Sequence, residues 1–564
     1  MHYIIGRKYD KKKQHTVPER TPIGRLDATN PEMMYPNENF FKFFPNTPIP
    51  EAQKEPSRSP CLNVGTNIVI EKIVMEYELK SLLVKHFGDR TGLLLDFLSY
   101  LIITGKNTTQ HYPGYAFNHA LATEDARVLS DSTLSKFLSE VTAEQIQGFL
   151  DDWNLNRDHR SRIYVSYDST NKNCQAGDLE MVEFGKAKVD LGTPVFGVGC
   201  AFDKTNKVPL FYERYPGSVN DVSQLEYFVK KMSHYKYRHV GFILDRGYFS
   251  KANIQYMDGQ HFHFIMMVKG CKPLVSSIID EYRGTFETCR DKSVRSHQLY
   301  CITTKRKLYP EDTKDRYFHL FYNVRKMADE RCELEKEVAD MQALLTKAVG
   351  QKFVLLPEHK KYFDIHMNKD GILLFVQEKK DVVQKELEQC GYFCIVTSES
   401  MKAQDAYFLY KGRDASEKLF CADKTFLGSK SMRVHSDASV ETKLFIEFLA
   451  LIVRNRLYNL LKDEMSRLGT KHNFMTVPSA IDKLEQIKMQ RIGGEVYQQS
   501  YALTRHQKMI LKAVGISPDE VKERIAQISS ELAKVDAKIA SQKPPQETAP
   551  EPIELTEEII DATP

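Results

Sequence analysis

The sequence has no apolar run long enough to cross a membrane. About 18 or more consecutive apolar residues would be needed, and the two best candidates, 93–103 and 444–453, are shorter and carry Asp96 and Glu447. The N-terminus also lacks the apolar core of a signal peptide. These absences exclude a membrane protein and predict a cytoplasmic location without membrane contact.

Metal-binding and phosphate-binding consensus motifs are also missing. The ten cysteines form no C-x-x-C pair, and the closest pair, Cys390 and Cys394, has no matching second pair. This excludes a zinc finger, and in a reducing compartment we expect the thiols to be small buried residues. Neither G-x-G-x-x-G nor G-x4-G-K-[ST] occurs, so a dinucleotide or P-loop enzyme has no support.

The chain carries little net charge. A formal charge of +4 over 564 residues permits nucleic-acid binding but does not demonstrate it. The apolar fraction of 42% and the charged fraction of 27% are those of a globular protein. The length is too great for one ordinary domain and predicts several.

The pattern along the chain predicts six segments. Between 162 and 270 the pattern predicts three strands, a helix, a strand, a helix and a strand, with strands in PVFGVGCAFD, HVGFILD and HFHFIMMV and a helix over 221–234. This order favours an α/β fold with a mixed sheet. The predicted segments are an extended N-terminal arm (1–65), a helical and DNA-binding region (66–160), a catalytic core (161–270 and 391–466), a partly β-rich insertion (271–390), a C-terminal helical region (467–540) and a disordered acidic tail (541–564).

The C-terminal helical region carries a capping-box sequence, Ser517-Pro-Asp-Glu520, followed by an apolar repeat from Val521 to Ile539. Such a repeat can form a dimer contact or pack on the parent domain. The second interpretation is favoured, but the pattern leaves both open.

Two acids follow predicted strands directly. RIYVSYD ends on Asp168 and HVGFILD ends on Asp245. Reactive groups of open α/β sheets gather at the carboxyl ends of strands, and paired carboxylates suit hard divalent cations. A single acid at a strand end is more often a cap or turn residue, so this pair alone is a weak signal.

The segment 410–424 is more informative. On one continuous helix, Tyr410, Arg413, Glu417 and Lys424 would project within an arc of roughly 60°. That stripe would combine an acid, two bases and a phenol. The alternative is an ordinary surface ion pair between Arg413 and Glu417.

Tyr-x2-Arg-x3-Glu-x6-Lys resembles the Y-R-E-K signature of the DDE insertion-sequence transposases. Y-D-S-T at 167–170 and D-R-G-Y at 245–248 resemble the blocks around the first two catalytic acids of this family, and the insertion lies where the family places one. The resemblance covers about 160–460. It implies an RNase H-like catalytic domain in which Asp168, Asp245 and Glu417 bind two Mg²⁺ or Mn²⁺ ions.

The resemblance also implies residues that bind DNA. Tyr410, Arg413 and Lys424 would contact the DNA end, and Arg246 and Arg433 are weaker candidates, since a surface role fits them as well. His435 belongs to the same basic segment as Arg433. One departure concerns the DNA hairpin route of some relatives, which uses a tryptophan in the insertion. The single tryptophan here, Trp153, precedes the first acid.

The sequence therefore predicts a transposase of a mobile element. It would bind the terminal inverted repeats as double-stranded DNA, cleave the ends and join them to target DNA, acting as a homodimer in the DNA complex. The alternatives are a nuclease of the same fold without strand transfer, and a domesticated DNA-binding protein without catalysis.

Overall fold

A computed structural model gives the fold. It describes residues 1–10, 14–27, 30, 32–45, 47, 58–157, 159, 161–176, 179–184, 192–219, 221–269, 272–434, 436–491, 496–542 and 553–555, without the side chains of 221, 222, 272, 415–417, 540 and 542. No helix in these ranges is long and apolar enough to span a membrane.

The N-terminal segment forms short strands and one helical turn. These elements are β1 (His2–Asp10), β2 (His15–Pro22), β3 (Gly24–Leu26), β4 (Met33–Pro36), α1 (Phe40–Phe43) and β5 (Cys61–Asn63). Ile23, Met34 and Phe40 form a small apolar cluster together with Ile553. The arm thus has a small core of its own, which the sequence pattern did not predict.

Helices follow up to residue 155, as the pattern predicted. They are α2 (Gly65–Glu76), α3 (Leu79–Phe87), α4 (Thr91–Thr104), α5 (Tyr112–Asn118), α6 (Asp131–Glu140) and α7 (Ala143–Leu155). Trp153 on α7 is fully buried, and its indole N–H donates to the carbonyl of Pro209 at 3.1 Å. This tryptophan therefore has a structural role and is not available to stack on a DNA base.

The acidic residue in the apolar helix α4, Asp96, is buried and hydrogen-bonded. It is 1% exposed and accepts hydrogen bonds from the backbone N–H groups of Ala122 (2.5 Å) and Thr123 (3.0 Å) and from the Thr123 hydroxyl. Burial raises the pKa of Asp96 to about 6 although these hydrogen bonds act in the opposite direction. The carboxylate thus ties the loop after α5 to α4.

The raised pKa of Asp96 predicts a pH-dependent stability. Because the folded-state pKa lies above its ordinary value of 3.8, the contribution of Asp96 is greatest at low pH and is lost as the pH rises through about 6. The free energy of unfolding of the wild type should fall relative to that of Asp96→Asn by about 2 kcal/mol between pH 4 and 6. Urea unfolding of both proteins across this range tests it, and parallel curves would contradict it.

The catalytic core contains one large mixed sheet. Its first elements are β6 (Ile163–Cys174), β7 (Val195–Asp203), β8 (Val208–Pro216), α8 (Asp221–His234), β9 (Val240–Leu244), α9 (Lys251–Gly259) and β10 (His263–Met267). The predicted sequence of three strands, helix, strand, helix and strand is confirmed. Every residue of β7 and β9 is buried, which accounts for their continuous apolar runs.

The region predicted as an insertion divides into two parts. Its elements are α10 (Lys272–Tyr282), β11 (Ser293–Val294), β12 (Leu299–Arg306), β13 (Arg316–Asn323), α11 (Val324–Ala348), α12 (Pro357–Tyr362), β14 (Phe363–Met367), β15 (Leu373–Glu378) and α13 (Lys380–Gln389). Strands β11, β12 and β13 extend the main sheet. Only α11–α13 and the β14–β15 hairpin share a separate apolar cluster, with Leu345 at its centre.

The remaining elements complete the core and the C-terminal region. They are β16 (Tyr392–Thr397), α14 (Ala403–Lys411), α15 (Asp414–Cys421), a π-helix (Ala422–Phe426), β17 (Ser431–Met432), α16 (Asp437–Arg467), α17 (Val477–Leu484), β18 (Lys488–Arg491), β19 (Tyr497–Gln499), α18 (Arg505–Ala513), α19 (Pro518–Gln542) and β20 (Ile553–Glu554). Among the described residues, the order of the main sheet is β11-β12-β13-β16-β10-β9-β6-β7-β8, with β17 on β6.

Three C-terminal features bear on the predictions. The capping box is present, since Ser517 and Glu520 exchange backbone and side-chain hydrogen bonds. Val521 and Ile525 are buried in the main core, so this part of the apolar repeat packs on the parent chain. The tail predicted to be disordered contains β20, which pairs with β4, because Ile553 completes the small N-terminal cluster.

Candidate active site

The sequence predicted that Asp168 ends a strand, but the residue lies within β6. Strand β6 continues to Cys174 because β7 pairs with it along 165–173. On the other side, β9 pairs with β6 in parallel only up to Tyr167, and β17 resumes pairing at Asn173. Asp168 therefore lies at the gap between β9 and β17, where its half-buried carboxylate accepts a hydrogen bond from the Ser169 N–H at 2.8 Å.

Asp245 lies next to Asp168 across this gap. Tyr167 and Leu244 are partners in the parallel register of β6 and β9, so the two acids hold the next positions along their strands. Asp245 caps the short 3-10 helix Arg246–Tyr248, and its carboxylate accepts from the Arg246 N–H at 2.7 Å. The register thus places the two acids at adjacent positions of neighbouring chain segments.

Tyr248 joins the two sequence blocks that carry the acids. Its buried hydroxyl donates to the Ser169 hydroxyl at 2.9 Å, so Y-D-S-T and D-R-G-Y contact each other directly. Tyr248 was not among the predicted site residues. Its place in D-R-G-Y was the only available signal, because the partner lies 79 residues away in the chain.

The segment of the Y-R-E-K signature is not one continuous helix. Helix α14 ends at Lys411, and α15 begins at Asp414. The break lies at Gly412, where a Cβ would lie 2.0 Å from the Lys204 ammonium. That ammonium donates to the carbonyls of Phe408 (2.7 Å) and Leu409 (3.3 Å) and so caps the last turn of α14. The arc calculated for a single α-helix therefore does not apply.

Arg413 reaches the acids across the break. Its guanidinium pairs with the Asp245 carboxylate and lies 5.6 Å from the ring centroid of Tyr410, which is buried. Glu417 lies on α15, but its side chain is outside the described part of the structure. Lys424 lies in the π-helix and is half-buried. The structure thus brings Arg413 to Asp245 and places Tyr410 beside Arg413.

The two further candidate DNA contacts lie on the surface. Arg246 follows Asp245 and is exposed, and Arg433 is exposed between β17 and α16. The Arg433 carbonyl accepts a hydrogen bond from the Lys443 ammonium at 3.0 Å. His435 lies outside the described residues.

A buried ionic cluster joins β6 to the π-helix and to α16. The Lys172 ammonium, 2% exposed, contacts carboxylate oxygens of Asp423 at 2.5 Å and Glu447 at 2.8 Å and the Ser429 hydroxyl at 2.6 Å. These carboxylates raise the pKa of Lys172, although burial acts in the opposite direction. Burial raises the pKa of Asp423 to about 6. The cluster fixes the turn that carries Lys424 to the strand that carries Asp168.

The donor chemistry of this region suits a divalent cation. Asp168 and Asp245 offer carboxylate oxygens on neighbouring strands. Asp245 already lies against a positive group, Arg413, and its side chain is 37% exposed. Among the residues with described side chains, no group of three or more His, Cys, Asp and Glu is close enough to hold a metal ion. A third carboxylate would have to come from Glu417, whose side chain is outside the described part of the structure.

The comparison with solved structures is weak. A cryo-EM structure of a piggyBac transposase synaptic complex with hairpin DNA is similar over 89% of this chain and 84% of that chain, with 9% identity and a TM-score of 0.34. A TM-score this low does not establish a common fold. No curated protein matches the chain.

The comparison with protein families is decisive. The family model described as Transposase DDE domain matches residues 172–453, which is half of the chain. The match includes Asp245, Glu417 and the buried cluster around Lys172, and it begins four residues after Asp168. The chain therefore belongs to the Transposase DDE domain family.

Proposed function

We propose that this protein is a transposase that binds the terminal inverted repeats of its mobile element, cleaves the ends and joins them to target DNA. The observation that carries the proposal is the juxtaposition of Asp168 and Asp245 at the end of β9, with Arg413 from the Y-R-E-K segment on Asp245. This proposal places the chain in the insertion-sequence branch of the family.

The strand arrangement supports an RNase H-like core. Strands β6, β7 and β8 form an antiparallel meander. Strand β9 then pairs in parallel with β6, and β10 pairs in parallel with β9. Asp168 lies on β6, the central strand of this unit, and Asp245 directly follows the neighbouring β9. The proposed function does not depend on the outer strands β11–β13.

Asp168, Asp245 and Glu417 would hold two Mg²⁺ or Mn²⁺ ions. When bound, such ions supply charge stabilisation for the attacking and leaving oxygens of an in-line phosphoryl transfer. Arg413 can bind a phosphate through two parallel N–H donors, and Lys424 can bind one as a point charge. The ring of Tyr410 would restrict the rotamers of Arg413 and so keep the guanidinium at the DNA end.

Synapsis of two DNA ends implies a homodimer in the DNA complex, and we propose that state for the active protein. Arg246 and Arg433 are exposed and would bind backbone phosphates, which position the duplex without reading its sequence.

The test is cleavage of a labelled duplex that carries the end of the element. With Mg²⁺ or Mn²⁺ we expect a nick at the end, with EDTA no nick, and with a duplex of unrelated sequence weak binding and no specific nick. Joining of the cut end to a supercoiled plasmid separates a transposase from a nuclease of the same fold. Binding of the end without cleavage under any of these conditions would leave a DNA-binding protein and contradict the proposed catalysis.

A further inference from the structure

A second basic site lies behind helix α15. A cavity of about 570 Å³ is lined by α15, the π-helix, α16, the loop at 204–207 and the segment 472–478. Asp414, Lys418 and Ala422, spaced four residues apart, contribute to its wall, whereas Arg413 points to Asp245. Neither Asp168 nor Asp245 is among its described lining residues. The described lining of the cavity is therefore separate from Asp168, Asp245 and the Arg413 side chain that pairs with Asp245.

The lining of the cavity is strongly positive. Asp414 is the single acid among its described lining residues. The cations are Lys204, Lys207, Lys411, Lys418, Arg454 and Lys462. Lys204 is used to cap α14, but Lys418 and Lys462 are exposed, and neither forms an ion pair with a described residue. Six cations around one acid favour an anionic ligand.

Arg454 is the most informative of these cations. Its guanidinium carbon lies 4.4 Å from the ring centroid of Phe426, the residue is 5% exposed, and it has no hydrogen bond or ion pair to any described residue. Burial lowers its pKa to about 10. A guanidinium stacked on a ring keeps its donors in the plane that suits phosphate.

Aromatic rings lie beside the cations. Tyr458 and Phe426 line the same cavity and are 40% and 37% exposed. The guanidinium of Arg454 covers one side of Phe426, so Tyr458 offers the more accessible ring. A groove that combines lysines with exposed rings is the pattern of sites for single-stranded nucleic acid, in which bases stack and phosphates pair.

We propose that this cavity binds a phosphate ester of a nucleotide through Arg454, Lys418 and Lys462, with the attached base on Tyr458. The phosphate belongs to a nucleic-acid strand held apart from the acids, an assignment that rests on the proposed DNA function. A free nucleotide presents the same chemistry, and the experiment distinguishes the two sources.

Cys421 provides a local readout in the native protein. It is exposed and lines the cavity, whereas Cys332, also exposed, lies on α11. The full chain is alkylated with iodoacetamide in the presence of a 12-nucleotide single strand, its duplex or dAMP. The extent of labelling of Cys421 and Cys332 is then quantified by mass spectrometry. We expect the single strand to slow labelling of Cys421 several-fold and leave Cys332 unchanged. Protection by dAMP to the same extent would assign the site to free nucleotides.

Charge-neutralising variants provide the second measurement. Lys418→Gln/Lys462→Gln should weaken binding of the single strand roughly tenfold and lower the salt dependence of log K by about 1.4, the contribution of two phosphate contacts. Both lysines are exposed, so the fold should persist. The matched control Lys336→Gln/Lys347→Gln changes the same charge on the exposed surface of α11 and should have no effect.

The outcomes separate this inference from the proposed function. If no probe protects Cys421 and the double variant binds as tightly as the wild type, the inference is wrong, whether or not the protein cleaves DNA. If Cys421 is protected and the variant binds weakly while no end is ever cleaved, the second site stands and the proposed function fails.

Discussion

Replacing Lys172 with methionine is expected to lower the free energy of unfolding by about 3–5 kcal/mol. The substitution leaves the carboxylates of Asp423 and Glu447 buried without the ammonium that they contact at 2.5 and 2.8 Å. Asp423, whose pKa is already raised to about 6, would then be largely protonated near neutral pH. Urea unfolding followed by circular dichroism, with hydrogen exchange at the amides of β6, measures the loss.

The control for Lys172 is Lys136→Met on α6. The Lys136 side chain is 77% exposed, so the same substitution there should change stability by less than about 0.5 kcal/mol. The triple variant Lys172→Met/Asp423→Asn/Glu447→Gln removes all three charges together and should recover part of the loss. Equal stability of Lys172→Met and wild type would show that the ammonium is not held between the two acids.

Replacing Asp245 with alanine is expected to reduce cleavage of the element's end by at least about 10³-fold, an effect of the size seen when one charge-stabilising group is removed from an active site. The Asp245 side chain is 37% exposed and at the end of a strand, so the fold should persist. DNA binding should be retained or slightly strengthened, because the variant has one negative charge less and Arg413 is released. Asp168→Ala and Glu417→Ala should behave in the same way.

Two variants make the result for Asp245 specific. Asp245→Asn keeps an oxygen that can accept from the Arg246 N–H but lacks the charge, and it should lose as much activity as the alanine variant. Asp364→Ala on β14 also removes an acid beside a cation, since Asp364 lies 3.6 Å from Lys379, and its side chain is more exposed than that of Asp245 (62% against 37%). This control variant should cleave normally. Normal cleavage by Asp245→Ala would remove this residue from the active site.

Local patterns predicted much of the core. The apolar runs of β7, β9 and β10 and the helical spacing of α8 lie where the sequence placed them, because each pattern reflects burial of one element. The prediction failed at β6, which was expected to end at Asp168. Of the polar residues beyond it, S-T-N-K-N, the two Asn and the Lys have little strand propensity, and pairing with β7 overrides that preference.

The prediction of one continuous helix over 410–424 failed for a similar reason. Its residues favour a helix locally, but the ammonium of Lys204, more than 200 residues earlier, caps the carbonyls of Phe408 and Leu409. The π-helix that follows places Asp423 against Lys172. Extra turns of this kind are frequent at functional sites.

The sequence by itself determined the membership of the family, the order of the strands and helices in the core, and the identity of the acids proposed for catalysis. These properties depend on short sequence motifs and on the apolar periodicity of single helices and strands. Only the tertiary structure decided that Asp168 lies in a gap of the sheet, that Arg413 pairs with Asp245, that Lys172 joins Asp423 to Glu447, and that six cations surround one cavity. Each of these depends on residues distant in the chain, which only the packing of the core brings together. The burial of Lys172 with its two carboxylates also removes their contact from water, which no local pattern records.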